Sequence, residues 1–316
     1  MKRFAITVLL LACAFAAHAR KNHTDITPSG EYLFAQKDSC SLFLSVYDPE
    51  EGAAATPDGA RKPSVLFVFG GGFATGERND EGYLPWFKML TENGYRVITI
   101  DYRLKLKGRS GLGVKDVSLF HEAVETGVED LFSATSFIIE NAEALRVDPA
   151  AIVVSGSSAG AMISLQAAWH LSNRDACTAN LPEGFRYAGV MTFSGAILSL
   201  NGKVRYAAEP SPTLMFHGTQ DKIVVYKGIR LFKIHYEGSS NLAEIFRKNG
   251  CNYNIYRFDG NRHEIASTFL KTFPEQLRFL ETNVSKGEKR IVDAVVHDPS
   301  IKVWNVNSTR ELYSKN

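Results

Sequence analysis

Residues 151–161, "AIVVSGSSAGA", place a serine between two glycines in the spacing Gly156-x-Ser158-x-Gly160. Apolar residues precede the serine and small residues follow it, so the segment predicts a buried strand, a sharp turn and a helix. Such a turn raises the hydroxyl above the sheet, and side chains in place of the glycines would collide with the neighbouring strand and helix. We therefore predict that Ser158 is a nucleophile. The alternative is a serine-rich turn without chemistry.

A serine hydroxyl needs a base to take its proton and an acid to orient that base. After a turn of this type the acid and then the histidine follow along the chain, each on a loop after a strand. Asp221 follows the strand-like "PTLMF", and His263 follows "YNIYRF", so these two residues are the predicted partners of Ser158. His217 is the alternative base and Asp259 the alternative acid. Four further histidines are predicted to be polar surface residues: His121, His170, His235 and His297.

A run of three glycines interrupts "FVFGGGF" at residues 67–73, directly after another strand-like stretch. Consecutive glycines lose entropy on folding and pack poorly, so they indicate a place where the backbone must be bare. Bare backbone allows amide N–H groups to point at the oxygen on which charge develops when a carbonyl is attacked. We predict that the amide N–H groups of this loop stabilise that charge. A flexible turn is the alternative.

The elements that must position these residues alternate between strand and helix. Most of the predicted strands are continuous apolar runs, which are typical of a parallel sheet covered on both faces. An antiparallel hairpin is predicted over residues 31–47, and the stretch 194–212 is too short for a large cap. Six strands are predicted at 64–69, 96–101, 152–155, 189–193, 213–216 and 253–258, and helices at 84–93, 117–142, 160–171, 227–249 and 262–281. The predicted fold is one α/β domain, with a mostly parallel central sheet of about eight strands and helices on both faces.

Residues 40–283 resemble the α/β-hydrolase superfamily, and more narrowly its cap-poor carboxylesterases with an HGGG-type oxyanion loop. The resemblance is carried by "FGGGF", "DYRL" at 101–104, "VDPAAIVVSGSSAG", "PTLMFHGTQD" and the histidine loop. It implies serine ester hydrolysis through an acyl-enzyme, with no metal and no organic cofactor. It also implies the triad Ser158, Asp221 and His263, and oxyanion donors at the amides of Gly71, Gly72 and Ala159.

One position departs from the family pattern. Phe69 stands where the family usually has a histidine. A phenyl ring cannot make hydrogen bonds that brace the loop, so we expect packing to hold the loop instead. Because the expected donors are main-chain groups, the oxyanion site itself should survive this change.

The N-terminus predicts a signal peptide over residues 1–19. Lys2 and Arg3 precede an apolar stretch at 4–12, and "AHA" at 17–19 offers small residues for cleavage after Ala19. Export to the periplasm or the medium is therefore expected, with a lipid anchor at Cys13 as the alternative. The predicted organisation is this signal, a hydrolase domain over 20–283 and a C-terminal extension over 284–316. The extension contains Trp304, which suggests that it docks against the domain.

The charge of the chain argues against some classes of partner, and its cysteine content argues against some kinds of site. Removal of Lys2 and Arg3 leaves 34 basic against 34 acidic residues, so no polybasic surface and no nucleic acid partner are expected. Stable membrane insertion is not expected either. The remaining thiols of Cys40, Cys177 and Cys251 are spaced too widely for a disulfide scaffold or a zinc site.

An exported esterase with an open site favours small-molecule or glycan-linked esters, including acetyl and feruloyl esters, as substrates. The basic loop "LKLKGRSGLGVK" at 104–115 borders this site or is an ordinary connection. Two other functions remain open: a serine peptidase of the prolyl-oligopeptidase type, and a non-catalytic binding protein on the same fold.

Overall fold

The computed structural model describes residues 26–50, 62–109, 116–306 and 311. The predicted signal peptide over 1–19, with Lys2, Arg3 and Cys13, lies outside the described residues, and so does the second half of the basic loop 104–115. No helix in the described ranges is long and apolar enough to cross a membrane.

Nine strands form the central sheet, one more than the approximate number predicted. Their order is β1-β2-β4-β3-β5-β6-β8-β11-β12. Strand β2 runs antiparallel to both of its neighbours, as the predicted hairpin requires, and the other adjacent strands are parallel. Strands β7, β9 and β10 form a second, smaller sheet. The strands of the described residues are β1 (Gly30–Lys37), β2 (Cys40–Tyr47), β3 (Ser64–Val68), β4 (Arg96–Ile100), β5 (Ile152–Ser157), β6 (Gly189–Phe193), β7 (Ala196–Ser199), β8 (Thr213–Gly218), β9 (Gly228–Leu231), β10 (Ile234–Gly238), β11 (Tyr253–Phe258) and β12 (Val292–Val296).

Helices cover this sheet. Every residue of β3, β4, β5 and β6 is buried, which is possible only where both faces of a sheet are covered. Trp86 and Gln276 tie the first and last α-helices together through a buried hydrogen bond of 2.7 Å from Nε1 to Oε1. The α-helices are α1 (Leu84–Glu92), α2 (Val117–Glu140), α3 (Ala159–Asn173), α4 (Ser239–Lys248) and α5 (Phe273–Phe279). Shorter helical turns lie at Pro149–Ala151, Ala176–Thr178, His263–Ser267 and Leu280–Ser285.

The helix predicted over 227–249 is wrong in its first half. Residues 228–238 form the hairpin β9–β10, and β10 pairs with β7 to complete a three-stranded antiparallel sheet. The guanidinium of Arg230 binds the carboxylate of Glu237 on the opposite strand, with an Nε–Oε1 distance of 2.7 Å. Cross-strand pairing of this kind stabilises a hairpin, so tertiary contacts overrode a weak helical pattern. The small sheet consists of three strands of four or five residues each.

The helix predicted over 262–281 is also divided. A 3-10 turn at His263–Ser267 is followed by a break and then by α5, which begins beside Pro274. Proline is tolerated only in the first turn of a helix, because further in it lacks the N–H and clashes with the preceding turn. Helix α5 therefore starts just before Pro274, so that the proline lies in its first turn.

The chain beyond residue 284 joins the main sheet. Strand β12 pairs in parallel with β11 at the sheet edge, and Arg257 of β11 binds Asp293 of β12 with an Nη2–Oδ2 distance of 2.9 Å. Trp304 is half-buried and its main chain contacts the loop that carries His263, so the tryptophan docks as predicted. The domain boundary at residue 283 stays a prediction, although β12 makes this part of the chain continuous with the sheet.

Candidate active site

Ser158 occupies the turn between β5 and α3, with φ of 51° and ψ of −114°. A residue with a side chain rarely adopts a positive φ, so the surrounding structure must hold this conformation. A Cβ on Gly156 would lie 2.2 Å from the carbonyl oxygen of Gly160, and a Cβ on Gly160 would lie 2.0 Å from that of Val68. Both flanking glycines are therefore required by close backbone contacts, as the sequence pattern indicated.

The structure brings the three predicted triad residues into one hydrogen-bonded chain. Ser158 Oγ lies 2.9 Å from His263 Nε2, and His263 Nδ1 lies 2.8 Å from Asp221 Oδ2. The three residues come from loops after β5, β8 and β11, whose carboxyl ends share one edge of the parallel sheet. Because an ionised carboxylate only accepts, His263 donates from Nδ1 and its Nε2 is left to accept the serine proton.

Asp221 is held in its ionised form. Its Oδ1 accepts hydrogen bonds from the amides of Ile223 (2.9 Å) and Val224 (3.1 Å). Burial opposes ionisation of this carboxyl group, but the charge of His263 and hydrogen bonds from His217 and His263 outweigh it and hold the pKa of Asp221 well below its usual value. The acid is therefore fixed in both position and charge.

Neither alternative partner occupies the triad. His217 is fully buried, with Nε2 2.9 Å from the carbonyl oxygen of Val224 and Nδ1 2.8 Å from Ser239 Oγ. Its Nε2 also lies 3.4 Å from Asp221 Oδ2, so it orders the acid loop. Asp259 accepts a hydrogen bond of 3.3 Å from the hydroxyl of Thr219 instead of contacting His263.

Two of the four histidines predicted as surface residues are substantially buried. His235 is buried beside Glu237, with an Nδ1–Oε1 distance of 3.2 Å. His170 lies between Glu125 and Asp175, with closest distances of 3.0 and 2.6 Å. Burial would lower the pKa of His170, but the hydrogen bond with Cys177 and the two carboxylates raise it to about 11. The prediction failed for His170 because Glu125 lies on another helix, α2, and for His235 because residues 234–238 form β10 and not part of the predicted helix. The three cysteines Cys40, Cys177 and Cys251 are unpaired.

The glycine loop adjoins the nucleophile. Gly71 and Gly72 both have positive φ, 132° and 61°, which favours glycine at these positions. A Cβ on Gly70 would lie 3.4 Å from the Cβ of Ser158, so the loop backbone is in contact range of the serine. Within the described chain, the amides of Gly71 and Gly72 donate to no protein acceptor. Ala159 begins α3, so its N–H also lacks an acceptor inside the helix.

Aromatic side chains brace this loop in place of a histidine. The ring of Phe69 is buried and lies against that of Tyr102, with 4.5 Å between the centroids. The Tyr102 hydroxyl donates to the Phe69 carbonyl (3.2 Å), and the Tyr83 hydroxyl accepts from the amide of Gly70 (3.1 Å). Leu106, in the described half of the basic loop, donates its amide to the Phe73 carbonyl (2.9 Å). Packing of the Phe69 ring was expected. Nothing in the sequence indicated that the hydroxyl groups of Tyr83 and Tyr102 would form hydrogen bonds with this loop.

Replacement of Tyr83 by phenylalanine should weaken turnover without unfolding the chain. The substitution leaves the Gly70 amide without its acceptor, and one lost hydrogen bond corresponds to about a tenfold fall in kcat if it is felt in the transition state. The matched control is Tyr95→Phe, because the Tyr95 hydroxyl is buried without a partner in the described structure. Steady-state hydrolysis of a short-chain ester measures both. Equal kcat values for the two variants would show that Tyr83 does not brace the loop.

The ionised form of Asp221 should stabilise the fold and orient the base. Since folding lowers the pKa of Asp221 from its usual value near 3.8, its ionised form stabilises the fold above that pH, and this stabilisation is lost as pH falls through the lowered pKa. Asp221→Asn should lower kcat by a factor on the order of 10⁴, as an amide no longer selects the required tautomer.

The matched control for that substitution is Asp259→Asn, which changes the alternative acid. Its kcat should stay close to that of the unmodified chain. A larger loss of kcat in Asp259→Asn than in Asp221→Asn would reverse the assignment of the acid.

Known proteins resemble this chain in sequence or in fold. The BD-FAE family model matches residues 53–200. Gut esterase 1 of Caenorhabditis elegans is 33% identical over 148 residues, which are 45% of this chain and 24% of that protein. The chain thus matches about a quarter of the length of this curated relative.

Solved structures resemble the chain over most of its length. The apo form of Thermogutta terrifontis esterase 2 has a TM-score of 0.58 and 21% identity, covering 81% of this chain and 95% of the other. The butyrate-bound form of the same esterase has a TM-score of 0.55 and 20% identity, covering 81% and 96%. At this identity the likeness concerns the fold. The nine-stranded, mostly parallel sheet and these likenesses show that the chain has the α/β fold of these esterase structures.

Proposed function

We propose that the chain is a serine carboxylic ester hydrolase that works through an acyl-enzyme. The observation that carries the proposal is the continuous hydrogen-bonded chain from Ser158 through His263 to Asp221, on a strained turn beside a bare glycine loop. This arrangement supplies a nucleophile, a base and an orienting acid without any further group.

Acylation begins when Ser158 Oγ attacks the ester carbonyl carbon and His263 Nε2 takes its proton. Negative charge moves to the carbonyl oxygen, where the amides of Gly71, Gly72 and Ala159 are the proposed donors. The carbon–oxygen bond to the alcohol breaks, and the alcohol leaves with the proton from His263. The acyl group is then bonded to Ser158 Oγ.

Deacylation reverses these roles with water as the nucleophile. His263 Nε2 takes a proton from water as the water oxygen attacks the acyl carbon. The bond to Ser158 Oγ breaks, His263 returns the proton to the serine, and the carboxylic acid is released. Asp221 remains ionised throughout and stabilises the imidazolium in both half-reactions.

Ester hydrolysis is favoured by the relatives as well as by the site. The matched curated relative and the matched structures carry esterase names, and one of those structures is described as butyrate-bound. The small sheet of β7, β9 and β10 is built from short strands, and no large cap is predicted from the sequence, which suits an open site. Together with the predicted export, this favours acetyl, short acyl or feruloyl esters, free or attached to glycans.

The other two functions are less favoured. A peptidase of the prolyl-oligopeptidase type usually has an additional β-propeller or selectivity domain, and the described residues contain neither. A binding protein without catalysis would not need Ser158 strained and hydrogen-bonded to His263, since strain of this kind costs stability, about 1 to 3 kcal/mol.

A substrate panel with Ser158→Ala tests the proposed reaction. The unmodified chain should hydrolyse p-nitrophenyl acetate and butyrate, and Ser158→Ala should lower kcat by a factor on the order of 10⁶. Ser155→Ala is the matched control, because the Ser155 hydroxyl is buried without a partner in the described structure. Octanoyl, feruloyl and acetylated glycan esters then rank the acyl and alcohol groups. Cleavage of a proline-linked peptide in preference to all esters would favour the peptidase, and failure of an organophosphonate to label Ser158 would favour the binding protein.

Export is tested separately by the N-terminus of the secreted chain. We expect a mature N-terminus at Arg20 after cleavage following Ala19, measured by intact mass after expression with the full N-terminal segment. Cys13→Ser should leave this mass unchanged. A lipid-modified chain that loses its lipid in Cys13→Ser would show the anchored alternative instead.

A further inference from the structure

The residue after the predicted catalytic base carries a buried carboxylate that plays no part in the triad. Glu264 is 3% exposed. Its Oε1 accepts hydrogen bonds from Asn261 Nδ2 and from the amide of Arg262, both 2.8 Å, and its Oε2 accepts from the amide of Trp304 at 3.1 Å. One side chain therefore joins the loop before His263 to a segment forty residues further along the chain.

A second contact joins the same two segments in the opposite direction. Arg262 Nη1 donates to the carbonyl oxygen of Trp304 (3.4 Å) and to Asn305 Oδ1 (3.3 Å). The N–H and the C=O of Trp304 are thus held by the residues on either side of His263. We call residues 297–306, which include Trp304, the C-terminal strap.

The strap is anchored by contacts before it and at residues 300 and 301. Before it, β12 pairs with β11, and the amide of Asp259 donates to the carbonyl of Val296 at 3.0 Å. Within it, the side chain of Ile301 is buried, and Lys271 Nζ contacts Ser300 Oγ at 2.5 Å. A segment with such anchors can hold a neighbouring loop in place.

The loop of His263 lies between this strap and the loop of the acid. On the acid side, the amide of Gln220 donates to the Asn261 carbonyl (2.8 Å), and the amide of Thr219 donates to the Phe258 carbonyl (2.9 Å). The imidazole must meet Ser158 and Asp221 at once, and a displacement of about 1 Å can cost a factor of 10² in rate. The loop of His263 therefore has hydrogen bonds to both the acid loop and the strap.

We propose that Glu264 is a positioning residue and that the C-terminal strap, acting through it, sets the place of His263 relative to Ser158 and Asp221. This inference rests on the proposed ester hydrolysis. It assigns a function to the chain after residue 297, which the triad by itself does not require.

The chemistry of the side chain makes this assignment testable by an isosteric change. A carboxylate accepts from all three donors at once, two on Oε1 and one on Oε2. Glutamine in its place presents an NH₂ group to at least one of those N–H donors, and two donors facing one another repel. The favoured orientation keeps the glutamine oxygen on Asn261 and Arg262, since it loses one hydrogen bond and the flipped amide loses two. Its NH₂ group then faces the Trp304 amide, so Glu264→Gln keeps the volume and breaks the link between the loop and the strap.

Kinetics of Glu264→Gln below its unfolding temperature form the first test. We expect kcat to fall by about 10-fold to 100-fold with KM changed less than about twofold, because the loss concerns geometry in the transition state. The rate at which an organophosphonate labels Ser158 should fall in parallel, since that reaction also needs His263 as the base. A change in KM alone, or unchanged kcat and labelling, overturns the proposal.

A second pair of variants tests the strap from its own side. Trp304→Pro removes the amide N–H that donates a hydrogen bond to Glu264, whereas Trp304→Ala removes the indole ring and keeps the amide N–H. We expect Trp304→Pro to reproduce the kinetic loss of Glu264→Gln and Trp304→Ala to stay closer to the unmodified chain. Equal losses in the two variants would assign the effect to ring packing and overturn the role of the hydrogen bond. If Glu264→Gln does not fold, the comparison of Trp304→Pro with Trp304→Ala decides whether the strap positions His263.

The two proposals fail in different ways. An unmodified chain that hydrolyses esters in a Ser158-dependent manner, with strap variants equally active, overturns the strap alone. An unmodified chain without ester hydrolysis overturns the proposed function, and the strap is then judged by the low-field NMR signal of the proton between His263 Nδ1 and Asp221. A shift or loss of that signal in Trp304→Pro but not in Trp304→Ala supports the strap, and an unchanged signal overturns it.

Discussion

Three stretches of backbone meet within van der Waals distance around Ser158, and the site depends on that contact. The end of β3, the turn after β5 and the first turn of α3 approach so closely that a Cβ on Gly160 would overlap the Val68 carbonyl. Gly70, at the start of the glycine loop, packs against the carbonyl of Ser157, with 3.1 Å to the position of a Cβ. The same contact therefore strains the serine and brings the loop beside it.

The rest of the site is built outward from this contact along the sheet. Parallel strands end at one edge, so loops after β8 and β11 reach the serine from the side, and each loop is held by its neighbour. His217 and two backbone amides fix Asp221, the Asp221 loop holds Asn261, and Glu264 joins the histidine loop to the C-terminal strap. The histidine is thus located by contacts from three separate parts of the chain.

The glycine loop shows how a missing side chain is compensated. A histidine at position 69 could brace such a loop by hydrogen bonding, whereas Phe69 contributes a buried ring against Tyr102. The polar bracing comes from hydroxyl groups of Tyr102 and Tyr83, which reach the same backbone from other elements. Loop rigidity is retained because the donors and acceptors being held are main-chain groups, which side chains from several directions can reach.

Sequence by itself determined the features that depend on local chemistry. Continuous apolar runs marked the buried strands, glycine spacing marked the serine turn, and residues following strand ends gave Asp221 and His263. The split of 227–249 into hairpin and helix, the addition of β12 to the sheet, and the partners of His170, Tyr83 and Glu264 were decided only by the tertiary structure. Periodicity and spacing report what a segment does with its own backbone. Contacts such as that between Glu264 and Trp304 join residues forty positions apart, and no local pattern encodes which distant donor a buried carboxylate will meet.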